Sequence, residues 1–280
     1  MTTDVFLAVL VAAAMHAGWN AVLKVRLDPL TAVTLVTGAA GVIGLPFLVA
    51  FGMPRSEALP WLFGSVALHL AYNAALAEAY RHADMGQVYP IARGGAPLLT
   101  ALASAVVVGE PFSTTAAVGV AILGTGIGLI AVGRGQAEGF DPRAVLYAAL
   151  TAVIICGYTI VDGLGARAAG DPHAYSAALF VFDGLPLPLL LLLRSGRAAF
   201  DPMRRFILPG FAGGGMSLAA YWIAIWAMTV APIPVVAALR ETSVLFAALI
   251  AVVFLKEPLT LSRAVAAVLI VTGIATVRFG

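Results

Sequence analysis

The chain has 280 residues, of which 61% are hydrophobic and 11% charged. That balance excludes a soluble globular domain and describes an all-α polytopic membrane protein, with room for about ten spans of about 20 residues each. A net charge of +2 with no basic run longer than Arg204-Arg205 gives no footing for nucleic acid, and a single cysteine, Cys156, excludes a disulfide or a cysteine-built metal site.

Pro, Gly and charged residues punctuate ten predicted spans: 4–24, 31–51, 60–80, 85–107, 114–132, 143–163, 173–193, 206–229, 233–255 and 261–278. The first begins Met1-Thr2-Thr3-Asp4, without a basic leader, and reads as a retained helix. Helical spacing places His16, Trp19, Asn20 and Leu23 on one of its faces. Asp28-Pro29 marks a turn, as do Asp171-Pro172 and Asp201-Pro202 further on. Span three carries His69, Asn73, Leu76 and Tyr80 on one stripe with Tyr72 at its edge, and span four carries Tyr89, Arg93, Ala96 and Thr100. In span five, Gly124 and Gly128 have the spacing of close helix packing in lipid. The polar loop 133–142 then separates a first unit, 1–132, from a second, 143–280.

The second unit repeats the first. Residues 89–127 match 236–274 at an offset of 147, so that Arg93 falls on Arg240, Glu110-Pro111 on Glu257-Pro258, and Thr125-Gly126-Ile127 on Thr272-Gly273-Ile274. Leu70, Ala71 and Ala79 fall on Leu218, Ala219 and Ala227 at 148, and Gly18-Trp19 on Gly157-Tyr158 at 139. Five helices per unit is an odd number, so the copies sit in opposite orientations: two inverted repeats around a central cavity. The repeat carries the stripes onto Ile155, Tyr158 and Thr159; onto Ser217, Tyr221, Ala224 and Met228; and onto Val236, Arg240, Ser243 and Ala247.

An arginine within an apolar span costs at least about 2.5–3.5 kcal/mol, and this chain keeps two at equivalent positions. A guanidinium forks onto a carboxylate or phosphate, and Tyr and Trp offer an apolar face with a polar tip. The candidate substrate-binding residues are His16, Trp19, Asn20, His69, Tyr72, Asn73, Tyr80, Tyr89, Arg93, Tyr158, Tyr221 and Arg240. A structural role for the arginines, at helix breaks near Pro97 or Pro232 and Pro234, is the other reading. Asp183 and Glu241 are candidates for proton coupling, Glu241 also being placed to neutralise the adjoining Arg240. Glu78 is read as pairing with a neighbouring helix, and Asp162 as lying near a helix end. His16 and His69 stand on separate helices without ligand spacing, so no metal is expected. No phosphate-binding loop, HExxH or GxSxG occurs, and neither a cofactor nor an enzymatic reaction is expected. Ser113 and Thr260 read as helix caps beside the two Glu-Pro corners.

The five-helix unit resembles that of the drug/metabolite transporter superfamily, in its ten-helix EamA-type branch. The likeness is carried by Arg93, Pro97, Gly109-Glu110-Pro111 and Gly124-Thr125-Gly126, then by Arg240, Lys256-Glu257-Pro258 and Thr272-Gly273. His16-Ala17-Gly18-Trp19-Asn20 is similar to a first-helix pattern of some members. The resemblance implies a bacterial-type inner-membrane carrier with a cavity formed by helices one, three, four, six, eight and nine. It further implies export of amino acids, aromatic or of broad range, or of similar small metabolites. Relatives that export cationic drugs carry an acid in the first helix, where this chain has His16, Trp19 and Asn20. The self-contained duplication points to a monomer whose partners are a small-molecule substrate and the bilayer. Orientation divides the two lines of reasoning. Eleven of the fourteen basic residues other than Arg93 and Arg240 lie opposite the termini, which places the termini outside, whereas the family resemblance implies cytoplasmic termini.

Overall fold

A computed structural model describes residues 1–22, 27–82, 85–110, 113–135, 141–253, 256 and 260–279. Among these every regular element is helical. The first unit holds α1 (Thr3–Val22), α2 (Pro29–Phe51), α3 (Leu59–His82), α4 (Met85–Ala103, prolonged by a π-helical turn, Ser104–Val108) and α5 (Thr114–Gly135). The second holds α6 (Pro142–Ala168), α7 (Pro172–Asp183), α8 (Pro186–Ser195), α9 (Ile207–Val230), α10 (Ile233–Arg240), α11 (Ser243–Val253) and α12 (Leu261–Phe279). The ten spans are present, with the seventh divided into α7 and α8 and the ninth into α10 and α11.

Local chemistry sets these boundaries. Asp28, Asp141 and Asp171 each cap the next helix by accepting from a backbone N–H, of Thr31, Arg143 and His173, at 2.8–3.0 Å. The proline that follows each aspartate sits in the first turn, where no N–H is needed. Ser113 caps α5 through Ala116 N–H at 3.0 Å, and Thr260 accepts from Arg263 N–H at 3.4 Å. Asp201-Pro202 differs from the expected simple turn, lying inside a 3-10 segment, Arg197–Phe206. The seventh span stops at Gly184 because Pro186 supplies no hydrogen bond to a continuing helix. The ninth stops where Glu241 and Thr242 bond three residues back, to Ala238 and Leu239, and tighten the turn. The break thus falls after Arg240. Pro232 and Pro234 belong to the start of α10, and α4 runs through Pro97 without interruption.

Packing pairs exchange when the two units are exchanged. α3 packs on α6 as α1 packs on α9; α4 meets α6 as α1 meets α10 and α11; α3 meets α7 as α2 meets α9. The self-related pairs, α2 with α7 and α5 with α12, also pack together. The corner residues Gly109 and Lys256, equivalent at the offset of 147, both have positive φ, 70° and 54°. This is a pseudo-two-fold arrangement of inverted repeats.

The seam between α5 and α12 depends on glycine. A Cβ on Gly119 would lie 2.7 Å from Val277 Cγ2, and one on Gly273 would lie 2.7 Å from the Leu123 nitrogen. Gly126 likewise meets Ile270 at 2.9 Å, whereas Gly128 faces open space and Gly124 faces Leu98 of α4. The close approach therefore uses Gly119, Gly126 and Gly273 in place of the Gly124/Gly128 spacing. Among the described residues eight segments are long and apolar enough to cross a membrane, and α5 adds a shorter apolar stretch, Thr114–Leu129. Polar residues such as His69, Asn73, Glu78 and Arg81 make α3, the remaining span, less apolar. Val49, Leu193, Leu208 and Leu261 are among the apolar side chains exposed on the outer surface.

Candidate functional site

The two arginines related by the repeat enter one polar cluster through different contacts. Arg93, on α4, is 3% exposed. Its Nε lies 2.9 Å from Glu241 Oε2 as an ion pair, and its Nη2 lies 3.3 Å from His16 Nε2. Arg240 ends α10, and its guanidinium sits 4.5 Å above the ring of Tyr221, a cation–π contact. Glu241, which adjoins Arg240 in sequence and interacts with its charge, also makes the direct ion pair with Arg93.

His16 is approached from both sides. Trp19 Nε1–H points at its Nδ1 from 3.2 Å, and Arg93 at its Nε2. A neutral imidazole accepts at only one nitrogen, so the two donors compete for it. Asn20 donates to the His16 carbonyl at 2.7 Å, which commits its amide to its own helix.

Beside this cluster lies an aromatic one. His69 and Tyr158 have ring centroids 4.4 Å apart, and Tyr72 and Tyr221 each meet Tyr158 edge-on, at 6.0 and 6.1 Å. Tyr221 joins the two groups: it carries Arg240 on its face and donates its hydroxyl to Asp162 Oδ2. Tyr175 donates to the other oxygen, Oδ1, at 3.0 Å. Asp162 is wholly buried and, contrary to its reading as a helix-end residue, anchors two tyrosines. It follows Tyr158 by four residues on the same helical face, a spacing that could have flagged it. Asp183 Oδ1 lies 3.7 Å from His69 Nδ1. A cavity of about 10 Å³, room for about one water, is lined by Ala12, Ala13, His16, Ala220, Tyr221 and Arg240.

The remaining sequence candidates fall around this centre. Asn73 is half-buried on α3 and joins none of these contacts. Tyr80 and Tyr89 belong to α3 and α4, but their side chains lie outside the described residues. Glu78 pairs with Arg81 at 2.9 Å on its own helix and lies 3.5 Å from His82, where a neighbouring helix was expected. Trp222 donates to His173 Nδ1 at 2.9 Å and packs on Phe47, away from the polar centre. Among the described residues no three of His, Cys, Asp and Glu group as metal ligands would.

The Glu110 corner does more than cap. Its Oε2 accepts from Ile233 N–H at 2.9 Å, at the start of α10, and its Oε1 lies 2.6 Å from Arg167 Nη2. Arg167 in turn donates to the carbonyls of Met228 and Ala231, at 2.9 and 3.3 Å. A carboxylate of the first unit thus holds three elements of the second. Glu257, its repeat equivalent, lies outside the described residues.

The profile of the EamA-like transporter family matches this chain twice, over residues 4–132 and 142–279. A solved crystal structure is similar with a TM-score of 0.79 at 20% identity, the match covering 99% of this chain and 96% of that one. That likeness carries the fold. Comparison with curated proteins gives no match.

Proposed function

The chain belongs to the EamA-like transporter family, and from that premise we propose that it is a secondary carrier exporting amino acids, aromatic or of broad range, or similar small metabolites by alternating access. The observation that carries this reading is the convergence of Arg93 and Arg240, equivalent in the two repeats, on one centre with His16 and Tyr221. Arg93 and Arg240 hold the carboxylate, with His16 and Asn20 beside them, while Trp19, Tyr72, Tyr158 and Tyr221 meet the apolar part of the substrate. His69, Asn73, Tyr80 and Tyr89 complete the proposed lining. Asp183 and Glu241 are the proton-coupling groups in this reading. The proposed setting is a bacterial-type inner membrane, with the monomer as the working unit.

The test is flux in proteoliposomes containing the purified protein, using a panel of labelled amino acids with and without a pH gradient. Protein-dependent, saturable movement of at least one amino acid is expected, faster with the gradient. Vesicles that contain folded protein and move none of them would exclude amino acids as the substrate class. Proton-coupled export of another small metabolite is the second reading, favoured by the pairing of Asp183 with His69 at the aromatic cluster.

A further inference from the structure

We propose that Glu241 occupies the substrate's place on Arg93 when the site is empty, and that an incoming carboxylate displaces it as the protonated acid. Each carboxylate bound thereby brings a proton with it. This rests on the reading of Arg93 as the carboxylate-binding residue.

The first argument is contact. Arg93 and Glu241 side chains are each 4% exposed and stand 2.9 Å apart, so a second carboxylate cannot reach that edge of the guanidinium while Glu241 holds it. Glu241 also sits at the break between α10 and α11, where a small rotation moves the side chain without unwinding a helix.

The second argument is charge balance. Facing this centre are Arg93 from α4, Arg240 from α10, His16 from α1, Tyr221 from α9, and Tyr158 and Asp162 from α6; His69 of α3 and Asp183 of α7 face one another behind them. Glu241 is the carboxylate in contact with a guanidinium at this centre. Asp162 is committed, since both of its oxygens accept from tyrosine hydroxyls. A substrate carboxylate beside an ionised Glu241 sets two like charges against one guanidinium in apolar surroundings, which repulsion and burial both oppose. Protonating Glu241 removes one charge and frees Arg93 in one step. The proton comes from water on the open side: the Glu241 carboxylate becomes the acid, and the substrate carboxylate takes over the guanidinium. A group ionised in the empty site and protonated in the filled one makes binding weaken as pH rises.

Calorimetric titration of the purified full-length protein with benzoate, in two buffers of different ionisation heat, reads the proton directly. Benzoate has a carboxylate and an aromatic ring but no ammonium group. Uptake of about one proton per benzoate bound is expected, with affinity falling about tenfold per pH unit once Glu241 is ionised in the empty protein. Glu241→Gln should bind benzoate at least as tightly, with no uptake and a flat pH profile, while Glu78→Gln, at an acid paired with Arg81 outside the site, should keep the uptake. Binding without uptake in the wild type, uptake that survives Glu241→Gln, or no benzoate binding by folded wild-type and Glu241→Gln protein would each overturn the proposal. Should Glu241→Gln fail to fold, the wild type in the two buffers still decides, since benzoate bound without proton uptake overturns the proposal. A parallel titration with L-phenylalanine separates the two claims: benzoate bound with proton uptake and no phenylalanine bound keeps the displacement and discards amino acids as substrates.

Discussion

Arg93 and Arg240 were legible as the centre because an arginine in an apolar span is costly and its recurrence at one repeat position is not accidental. Their partners were not legible. Adjacency in sequence sets Glu241 beside Arg240, and the break after Arg240 also brings it into contact with Arg93. Breaking a buried ion pair from one side costs about 3–5 kcal/mol because the other charge is stranded. Arg93→Ala is therefore expected to lower thermal stability in detergent by that amount, and Arg93→Gln with Glu241→Gln to recover most of it. Equal melting temperatures for Arg93→Ala and the wild type would contradict the pairing. Asp162 was passed over, although its spacing from Tyr158 put it on the right face. Tyr221→Phe deletes a donor to that buried carboxylate and should cost about 1.5–3 kcal/mol, read in the same melting experiment.

At the scale of elements, Asp28-Pro29, Asp141-Pro142 and Asp171-Pro172, with Ser113 and Thr260, stand at helix starts because capping is local chemistry that the sequence displays, whereas Asp201-Pro202 lies inside a 3-10 segment. The divisions of the seventh and ninth spans were less legible, since Gly184 and the Glu241–Thr242 turn yield to tertiary packing as much as to their own preferences. Glycine shows the same limit. Spacing in span five singled out Gly124 and Gly128, while the contacting surface is fixed by which face α12 meets. Gly119→Val and Gly273→Val should each destabilise by at least about 1–3 kcal/mol through overpacking of the α5–α12 seam. Gly128→Ala, entering open space, should stay within about 0.5 kcal/mol of the wild type. Thermal unfolding of the three variants checks the order.

The whole molecule was the most legible scale, because a duplicated sequence announces a duplicated fold. The exchange of packing pairs between units follows directly from it. What the repeat could not tell was that the Glu110 corner reaches across to Arg167 and Ile233; the sequence marks the corner as a signature and says nothing of its partner. Glu110→Gln weakens a charged bond between units and should cost about 1.5–3 kcal/mol, with faster amide exchange at Ile233 by mass spectrometry. Unchanged exchange there would show that the corner does not hold α10. The account turns on Arg93 as the group that takes the substrate at the meeting point of the repeats. The most direct test is counterflow of labelled amino acids in liposomes holding equal amounts of folded wild type or of the Arg93→Gln/Glu241→Gln protein, whose buried charges stay balanced. Saturable flux in the wild type with at least a hundredfold loss in the double variant (about 2.7 kcal/mol of lost binding) is the predicted result; equal flux in both would contradict it.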